Sequence, residues 1–134
     1  YISIHEHPSF SYPGTGYADE TGIGEGKGTI LNLPLKPGGD DKEVLELFEQ
    51  IIEPRIIEWR PDAIIVAAGF DGHARDDMSG LSFSTGVFGK IGEIIRRWGK
   101  TYTDGKVLSI LEGGYELTVL GKSVDAYLRG LLKQ

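Results

Sequence analysis

Two short apolar stretches of the chain each lead into a side chain that can do polar chemistry. The run 63–68 is followed closely by Asp71, and the run 107–111 leads through two glycines into Tyr115. A carboxylate can bind a cation or move a proton. A phenol hydroxyl is protonated at neutral pH and can donate a hydrogen bond to developing negative charge. The two residue types together predict a site that combines an acidic ligand with a hydrogen-bond donor.

Both apolar runs are typical of strands. Unbroken apolar stretches of this length suit strands that are covered on both faces of a parallel sheet. Ligand and metal chemistry in such sheets collects just beyond the carboxyl ends of the strands. We therefore expect Asp71 and Tyr115 to lie on one rim of the sheet, close enough to serve one pocket. Two further strands are predicted at 1–5 and 29–35.

Helical segments separate the later strands. Asp40 begins one of them as a capping residue, and Pro54 is expected to kink or split it near Glu53. Ser84 or Thr85 is expected to cap the next helix, and a last helix follows the second apolar run. Strands that alternate with helices predict one α/β domain over 1–134, with a mostly parallel sheet flanked by helices.

Other polar residues leave alternatives open. Asp71 and His73 have the spacing of two metal ligands on one loop, although a lone histidine more often has a supporting role. The acidic trio Asp71, Asp76 and Asp77 suits either a cation site or a solvated turn. The His-x-His pair at positions 5 and 7 suits either a metal site or an ordinary loop.

Composition narrows the class of protein. The net charge of −6 over 134 residues gives no broad attraction to nucleic acid or to an anionic membrane. No apolar run is long enough to cross a bilayer. The chain has no cysteine, which removes disulfides, thiolate nucleophiles and cysteine zinc sites, and weakly favours the cytoplasm.

Six motifs occur in a fixed order along the chain. They are Ser3-Ile4-His5, Tyr12-Pro13-Gly14-Thr15-Gly16, Gly22-Ile23-Gly24-Glu25-Gly26, Asn32-Leu33-Pro34, Gly69-Phe70-Asp71-Gly72-His73 and Leu111-Glu112-Gly113-Gly114-Tyr115. Together, and in this order, they resemble the zinc-dependent histone deacetylase superfamily, which includes bacterial deacetylases of the acetoin-utilisation type and acetylpolyamine amidohydrolases. The resemblance runs from end to end of the chain and implies a three-layer, arginase-like α/β fold.

The resemblance implies a role for each residue at the two strand ends. Asp71 matches a zinc ligand of the family. Tyr115 matches the tyrosine that hydrogen-bonds the substrate carbonyl and then the tetrahedral oxyanion. Gly113 and Gly114 match the residues that shape the pocket beside it. In this family zinc and the tyrosine polarise the acetamide, water attacks, and a histidine carries the proton.

The resemblance also implies residues around the pocket. Tyr12 matches an aromatic wall of the acyl-lysine tunnel, and Met78 matches a residue of the tunnel rim. Ser3 and the backbone of Ile4 match part of a structural site for a monovalent cation such as K⁺. Asp77 stands where the family usually has proline, which leaves the local shape of the rim open.

Two family motifs are not found in this sequence: a His-His pair for acid–base catalysis and an Asp-x-His pair of zinc ligands. In members of the family both motifs precede the strand that corresponds to the one containing Ser3. The resemblance therefore implies the carboxyl-terminal portion of a deacetylase that acts on acetyl-lysine or other acetylated amines. Catalytic zinc normally has three protein ligands. We expect this chain alone to have no hydrolase activity.

Two other functions remain open for this chain. One is a non-catalytic binding or assembly module derived from a deacetylase. The other is a metal-dependent ureohydrolase of the arginase type, for which Asp71-Gly72-His73 is a partial match. About four strands and three helices should leave the first strand and some apolar faces uncovered. This predicts self-association, or a missing amino-terminal half that covers them.

Overall fold

A computed structural model describes residues 1–133. The chain forms four strands and four helices, in the order of two strands, two helices, and then two strand–helix units, with a 3-10 turn at Gly24–Gly26 and a π turn at Phe48–Ile52. None of the helices within this range is long and apolar enough to cross a membrane. The strands are Ile2–Glu6 (β1), Leu31–Leu35 (β2), Ile64–Ala68 (β3) and Val107–Leu111 (β4); the helices are Asp41–Leu47 (α1), Glu53–Trp59 (α2), Thr85–Tyr102 (α3) and Leu117–Leu132 (α4).

The first helical segment begins where the sequence predicts. Asp40 precedes α1 in an extended conformation, and its carboxylate accepts a hydrogen bond of 3.0 Å from the backbone N–H of Glu43. The predicted division near Glu53 is confirmed, because a π turn at Phe48–Ile52 comes just before Pro54 and α2 starts at Glu53. Proline lacks an N–H and is tolerated in the first turn of a helix, where that group has no partner within the helix.

The strands form two parallel pairs, β1 with β2 and β3 with β4. The predicted parallel arrangement is confirmed, but in residues 1–133 the two pairs are not joined into one sheet. In the second pair Ile64 lies opposite Val107 and Ala68 opposite Leu111. Both strands therefore end at the same level, and the loops that follow them start side by side.

The core lies between β3–β4 and the two long helices. Phe70, just after β3, packs against Phe88 of α3 and Tyr127 of α4, with ring centroids 5.0 and 6.0 Å away. Trp98 of α3 stacks on Phe48 at 5.6 Å and extends the core to the first helical segment. This apolar packing supports the strand ends from one side.

The other face of β3–β4 is open. Ile65, Leu108 and Ile110 are 71%, 55% and 47% exposed. The prediction that these strands are covered on both faces is thus wrong for residues 1–133, because both long helices pack on the same face. The predicted exposure of apolar sheet surface is confirmed for β3–β4. For the first strand it holds only at Tyr1, which is 74% exposed, since residues 2–5 are half-buried.

Candidate functional site

The loops after β3 and β4 are held together by backbone hydrogen bonds. The N–H of Glu112 donates to the carbonyl of Ala68 at 3.0 Å, and the N–H of Phe70 donates to the carbonyl of Gly113 at 2.8 Å. The ladder therefore continues beyond the ends of both strands. It brings Asp71 and Tyr115, which are far apart in the sequence, to the same rim.

The Asp71 carboxylate lies directly against the backbone of Gly113. A Cβ atom on Gly113 would lie 2.7 Å from the Asp71 carboxyl carbon, so only glycine leaves room for this contact. The Asp71 side chain is half-buried. Burial raises its pKa; a hydrogen bond from its own backbone N–H lowers it, and the charge of Asp76 raises it again. A carboxylate in this setting is stabilised as an anion by a nearby cation.

Tyr115 follows Gly113 by two residues and presents its side chain to solvent. The side chain is 58% exposed, whereas the backbone N–H is bound by the Asp76 carboxylate at 2.6 Å. Gly114 precedes it with a φ of +135°, a conformation that side chains disfavour. The two glycines thus serve different ends: Gly113 makes room for Asp71, and Gly114 makes the turn that leads to Tyr115.

Asp76 is a central residue of this rim, and its role is not evident from the sequence. It is only 6% exposed and accepts hydrogen bonds from the N–H groups of Tyr115 at 2.6 Å, Glu116 at 3.0 Å and Met78 at 3.1 Å. Burial by itself raises the pKa of Asp76, whereas these three hydrogen bonds lower it, and the net result is a pKa below its usual value.

The three acids of the trio lie in three different environments. The oxygens of Asp76 are occupied by backbone N–H groups, whereas Asp77 is exposed and Asp71 faces Gly113. The contact between Asp76 and Met78 is local and typical of a turn in which a carboxylate accepts a hydrogen bond from the backbone N–H two residues later. The other two partners, Tyr115 and Glu116, lie on the loop after β4, and no pattern in the sequence near Asp76 predicts contact with them.

His73 is part of the core. It is 6% exposed, its ring is nearly parallel to that of Phe88, and its Nδ1 accepts a hydrogen bond of 3.1 Å from the N–H of Arg75. Nδ1 is thus unprotonated in the neutral ring, so Nε2 donates to the Thr85 hydroxyl at 3.0 Å. Both ring nitrogens are used, and His73 supports the loop rather than sharing a metal with Asp71.

The histidines after the first strand are also engaged separately. His5 Nε2 donates to the carbonyl of Gly16 at 2.9 Å, which leaves Nδ1 to accept from the Ser3 hydroxyl at 2.8 Å. His7 Nδ1 accepts from the N–H of Ser9 at 3.2 Å. The pair does not converge on one point. The Ser3 hydroxyl is engaged within β1, where Ile4 pairs with Leu33, so a cation at Ser3 and Ile4 stays a prediction.

A second buried carboxylate, on Glu6, joins two loops of the rim. Glu6 is 7% exposed; it accepts from the hydroxyl of Ser11 and from the N–H of Gly80 at 3.0 Å. Ser11 adjoins Tyr12, which is 98% exposed, and Gly80 lies close to Met78, which is 60% exposed. The tunnel roles of Tyr12 and Met78 stay predictions, but the loops that carry them share one anchor.

The described residues do not form a metal site by themselves. Within 1–133, no group of three or more histidines, aspartates or glutamates is placed to hold a metal ion. Catalytic zinc sites normally use three protein ligands and keep one position open. A zinc ligand at Asp71 therefore stays a prediction.

Known proteins similar to this chain share one family. The family model for the histone deacetylase domain matches residues 1–131. The chain is 41% identical over 129 residues to histone deacetylase 14, chloroplastic, of Arabidopsis thaliana. This match covers 96% of the present chain and 30% of the Arabidopsis protein. The chain is 43% identical over 132 residues to a probable deacetylase of Methanothermobacter thermautotrophicus, which covers 98% of this chain and 38% of that protein.

A solved structure gives the same result for the fold. Acetylpolyamine aminohydrolase from Burkholderia pseudomallei superposes with a TM-score of 0.88 at 30% identity, over 99% of this chain and 37% of that one. The predicted arginase-like and deacetylase-like α/β fold is confirmed. The chain spans roughly a third of the length of each of these proteins, with 30%, 38% and 37% covered.

Proposed function

The chain belongs to the histone deacetylase family, and from that membership we propose that it forms the carboxyl-terminal portion of a zinc-dependent deacetylase domain. The substrate class is an acetylated amine, such as acetyl-lysine or an acetylated polyamine. The observation that carries the proposal is the shared rim, where the Asp71 carboxylate rests against Gly113 and the exposed Tyr115 side chain follows on the same loop.

Each residue of the rim has a task in this proposal. Asp71 supplies one zinc ligand, and bound zinc provides Lewis acidity and an activated water. The Tyr115 hydroxyl donates a hydrogen bond to the acetamide oxygen. This hydrogen bond persists and stabilises the negative charge that develops on that oxygen. Gly113 and Gly114 form the floor beside them. The exposed side chains of Tyr12 and Met78 border the channel for the acyl chain.

A chimera tests the proposal directly. In this protein, which we call the deacetylase chimera, residues 1–134 replace the matching segment of the Burkholderia acetylpolyamine aminohydrolase, whose remaining chain supplies the other elements. We expect the chimera to bind zinc and to hydrolyse an acetylated polyamine or an acetyl-lysine peptide. Asp71→Ala should remove both zinc binding and turnover.

Asp77→Ala is the matched control, because Asp77 lies on the same loop and is exposed. It should keep both zinc and activity. A folded chimera that binds zinc and turns over substrate equally well with Asp71→Ala would contradict the proposed ligand. The isolated 134-residue chain, assayed with the same substrates and zinc, should show no turnover.

A second function is favoured by one observation: residues 1–133 contain no cluster of three metal ligands. This suits a non-catalytic binding or assembly module derived from a deacetylase. The gene sequence just upstream of the codon for Tyr1 separates the two proposals. A His-His pair and an Asp-x-His pair encoded there support the enzyme, whereas a stop codon or an unrelated sequence supports the module.

The open face of β3–β4 predicts association of the isolated chain. Ile65 and Leu108 lie on this face with more than half of their surface exposed, and apolar patches of this kind favour contact with another chain. Light scattering should find the chain larger than a monomer. The double variant Ile65→Glu, Leu108→Glu should shift it towards monomer.

Ile23→Glu is the control for that experiment, because Ile23 is 91% exposed but lies on a loop rather than on the open face. It should leave association unchanged. A monomeric wild-type chain with a cooperative melt would contradict the prediction and favour the autonomous module. In the complete domain, the proposed amino-terminal half covers this face instead.

Two further features stay predictions. A cytoplasmic location rests on the cysteine-free composition, and one relative is named as chloroplastic. A monovalent cation such as K⁺ at Ser3 and Ile4 rests on the family resemblance. Neither changes the roles proposed for the rim.

A further inference from the structure

We propose that Asp76 is the positioning residue for Tyr115: its buried carboxylate sets the backbone from which the tyrosine side chain projects. The N–H groups of Tyr115 and Glu116 both donate to Asp76 Oδ2, at 2.6 and 3.0 Å. The bond from Tyr115 is short, as bonds to an ionised oxygen are. The importance of this position for catalysis rests on the proposed function; the positioning itself does not.

Tyr115 needs such a support because of what precedes and surrounds it. Gly113 and Gly114 leave the backbone free to adopt many conformations. The tyrosine side chain is 58% exposed, and within residues 1–133 its hydroxyl has no hydrogen bond that would hold the ring from its far end. The direction of the side chain therefore depends on its own backbone, and Asp76 binds that backbone directly.

Asp76 also connects Tyr115 to the loop that carries Asp71. Its Oδ1 accepts from the N–H of Met78 at 3.1 Å, which fixes the carboxylate within its own loop. The Ser79 hydroxyl then donates to the carbonyl of Asp71 at 3.0 Å. These hydrogen bonds, joined by the covalent backbone of Met78 and Ser79, thus link the backbone of Asp71 to that of Tyr115, in addition to the backbone bond between Phe70 and Gly113.

The charge and shape of Asp76 are both used. The carboxylate has two acceptor oxygens, of which Oδ2 accepts two N–H groups and Oδ1 accepts one. Asparagine has nearly the same shape but only one acceptor, and its NH₂ group would face a backbone N–H. Asp76→Asn must therefore leave either Met78 or the pair Tyr115 and Glu116 without an acceptor.

The experiment is amide hydrogen exchange, followed by NMR on the ¹⁵N-labelled 134-residue chain. In the wild type we expect protected amides at Tyr115 and Glu116, with a downfield proton shift for Tyr115 because its hydrogen bond is short and charge-assisted. In Asp76→Asn we expect faster amide exchange at Met78, at the Tyr115–Glu116 pair, or at both. The exchange rate there should rise about tenfold or more relative to amides of α3. Asp77→Asn should change these ratios by less than about twofold.

Two results would overturn the proposal. One is exchange of the Tyr115 and Glu116 amides at unprotected rates in a folded wild-type chain. The other is an Asp76→Asn chain in which loop and α3 amides accelerate by the same factor, since that indicates a general loss of stability only. If Asp76→Asn does not fold, the wild-type chain alone tests the proposal, through the exchange protection of the Tyr115 and Glu116 amides and the proton chemical shift of the Tyr115 amide. No turnover is measured, so an inactive deacetylase chimera leaves this test intact.

Discussion

Asp71 and Asp76 belong to the same loop after β3, yet they use their charges in opposite ways. Asp76 is buried and accepts three backbone N–H groups, which hold its pKa below the usual value. Asp71 is half-buried and rests against Gly113. Burial raises its pKa, and a hydrogen bond from its own backbone N–H lowers it.

The difference shows how one loop can combine structure with chemistry. A buried carboxylate whose two oxygens both accept from backbone N–H groups stabilises the fold and has little acceptor capacity left for a ligand. A carboxylate that is partly desolvated and has few donors costs stability, and keeps its oxygens free for a cation. Asp76 therefore belongs to the support of the site, and Asp71 to the site itself.

The largest expected effect concerns Tyr115, which depends on both aspartates. Its backbone is bound by Asp76, whereas its hydroxyl is proposed to act beside Asp71. In the deacetylase chimera, Tyr115→Phe should lower kcat by about 10²–10³, the usual cost of losing one oxyanion donor. The melting temperature should not change, because the side chain is mostly exposed.

Steady-state kinetics and a thermal melt on the same preparation make this measurement. An unchanged kcat would remove Tyr115 from the chemistry. A lower melting temperature would instead assign its hydroxyl to the support of the fold.

The next effect separates the two aspartates by stability. Asp76→Ala leaves three N–H groups without their charged acceptor and should lower the free energy of unfolding of the chain by about 3 kcal/mol. Asp71→Ala removes a carboxylate that burial penalises, so it should change this free energy by less than about 0.5 kcal/mol in either direction. Urea unfolding of both variants and the wild type measures the difference.

Asp77→Ala provides the baseline for an exposed aspartate on this loop. Equal losses for Asp71→Ala and Asp76→Ala would mean that both carboxylates support the fold. That result would leave no physical distinction between the two positions.

The smallest effect is the response to acid. The pKa of Asp76 is lowered in the folded chain, so its stabilisation is present above the unfolded value of about 3.9 and is lost as the pH falls through the lower, folded value. The pKa of Asp71 is raised, so its ionisation costs stability at neutral pH, and protonation relieves that cost as the pH falls through the folded value.

Unfolding free energies of wild type and variants between pH 7 and about pH 3 test these signs. The advantage of wild type over Asp76→Ala should shrink towards low pH. The difference between wild type and Asp71→Ala should move in favour of wild type over the same range. Parallel pH profiles for the two variants would show that both carboxylates titrate in equivalent surroundings.

Local features of the molecule follow from the sequence with good accuracy. Asp40 was identifiable as a helix cap because its partner, the N–H of Glu43, lies three residues away. The parallel strands were identifiable from their apolar runs, and their equal ends brought Asp71 and Tyr115 to one rim. The next cap was less predictable: Ser84 does precede α3, but its hydroxyl donates to Asp41 at 2.5 Å rather than capping the helix.

The residues that support the rim became visible only in the tertiary structure. Asp76 reaches Tyr115 and Glu116 across 39 and 40 residues, and Glu6 reaches Gly80 across 74. In sequence each looks like an ordinary acidic loop residue. Burial decided their roles, because a desolvated carboxylate must find donors wherever the folded chain brings them.

The sequence by itself therefore determined which residue types stand at the strand ends, since periodicity, capping and glycine pairs act over a few neighbouring residues. Only the tertiary structure decided which of the acids is left free. It also decided that His73 is enclosed in the core and that one face of β3–β4 is open. These outcomes depend on which distant segments pack together, and the free energy of a buried charge depends on all of its neighbours at once.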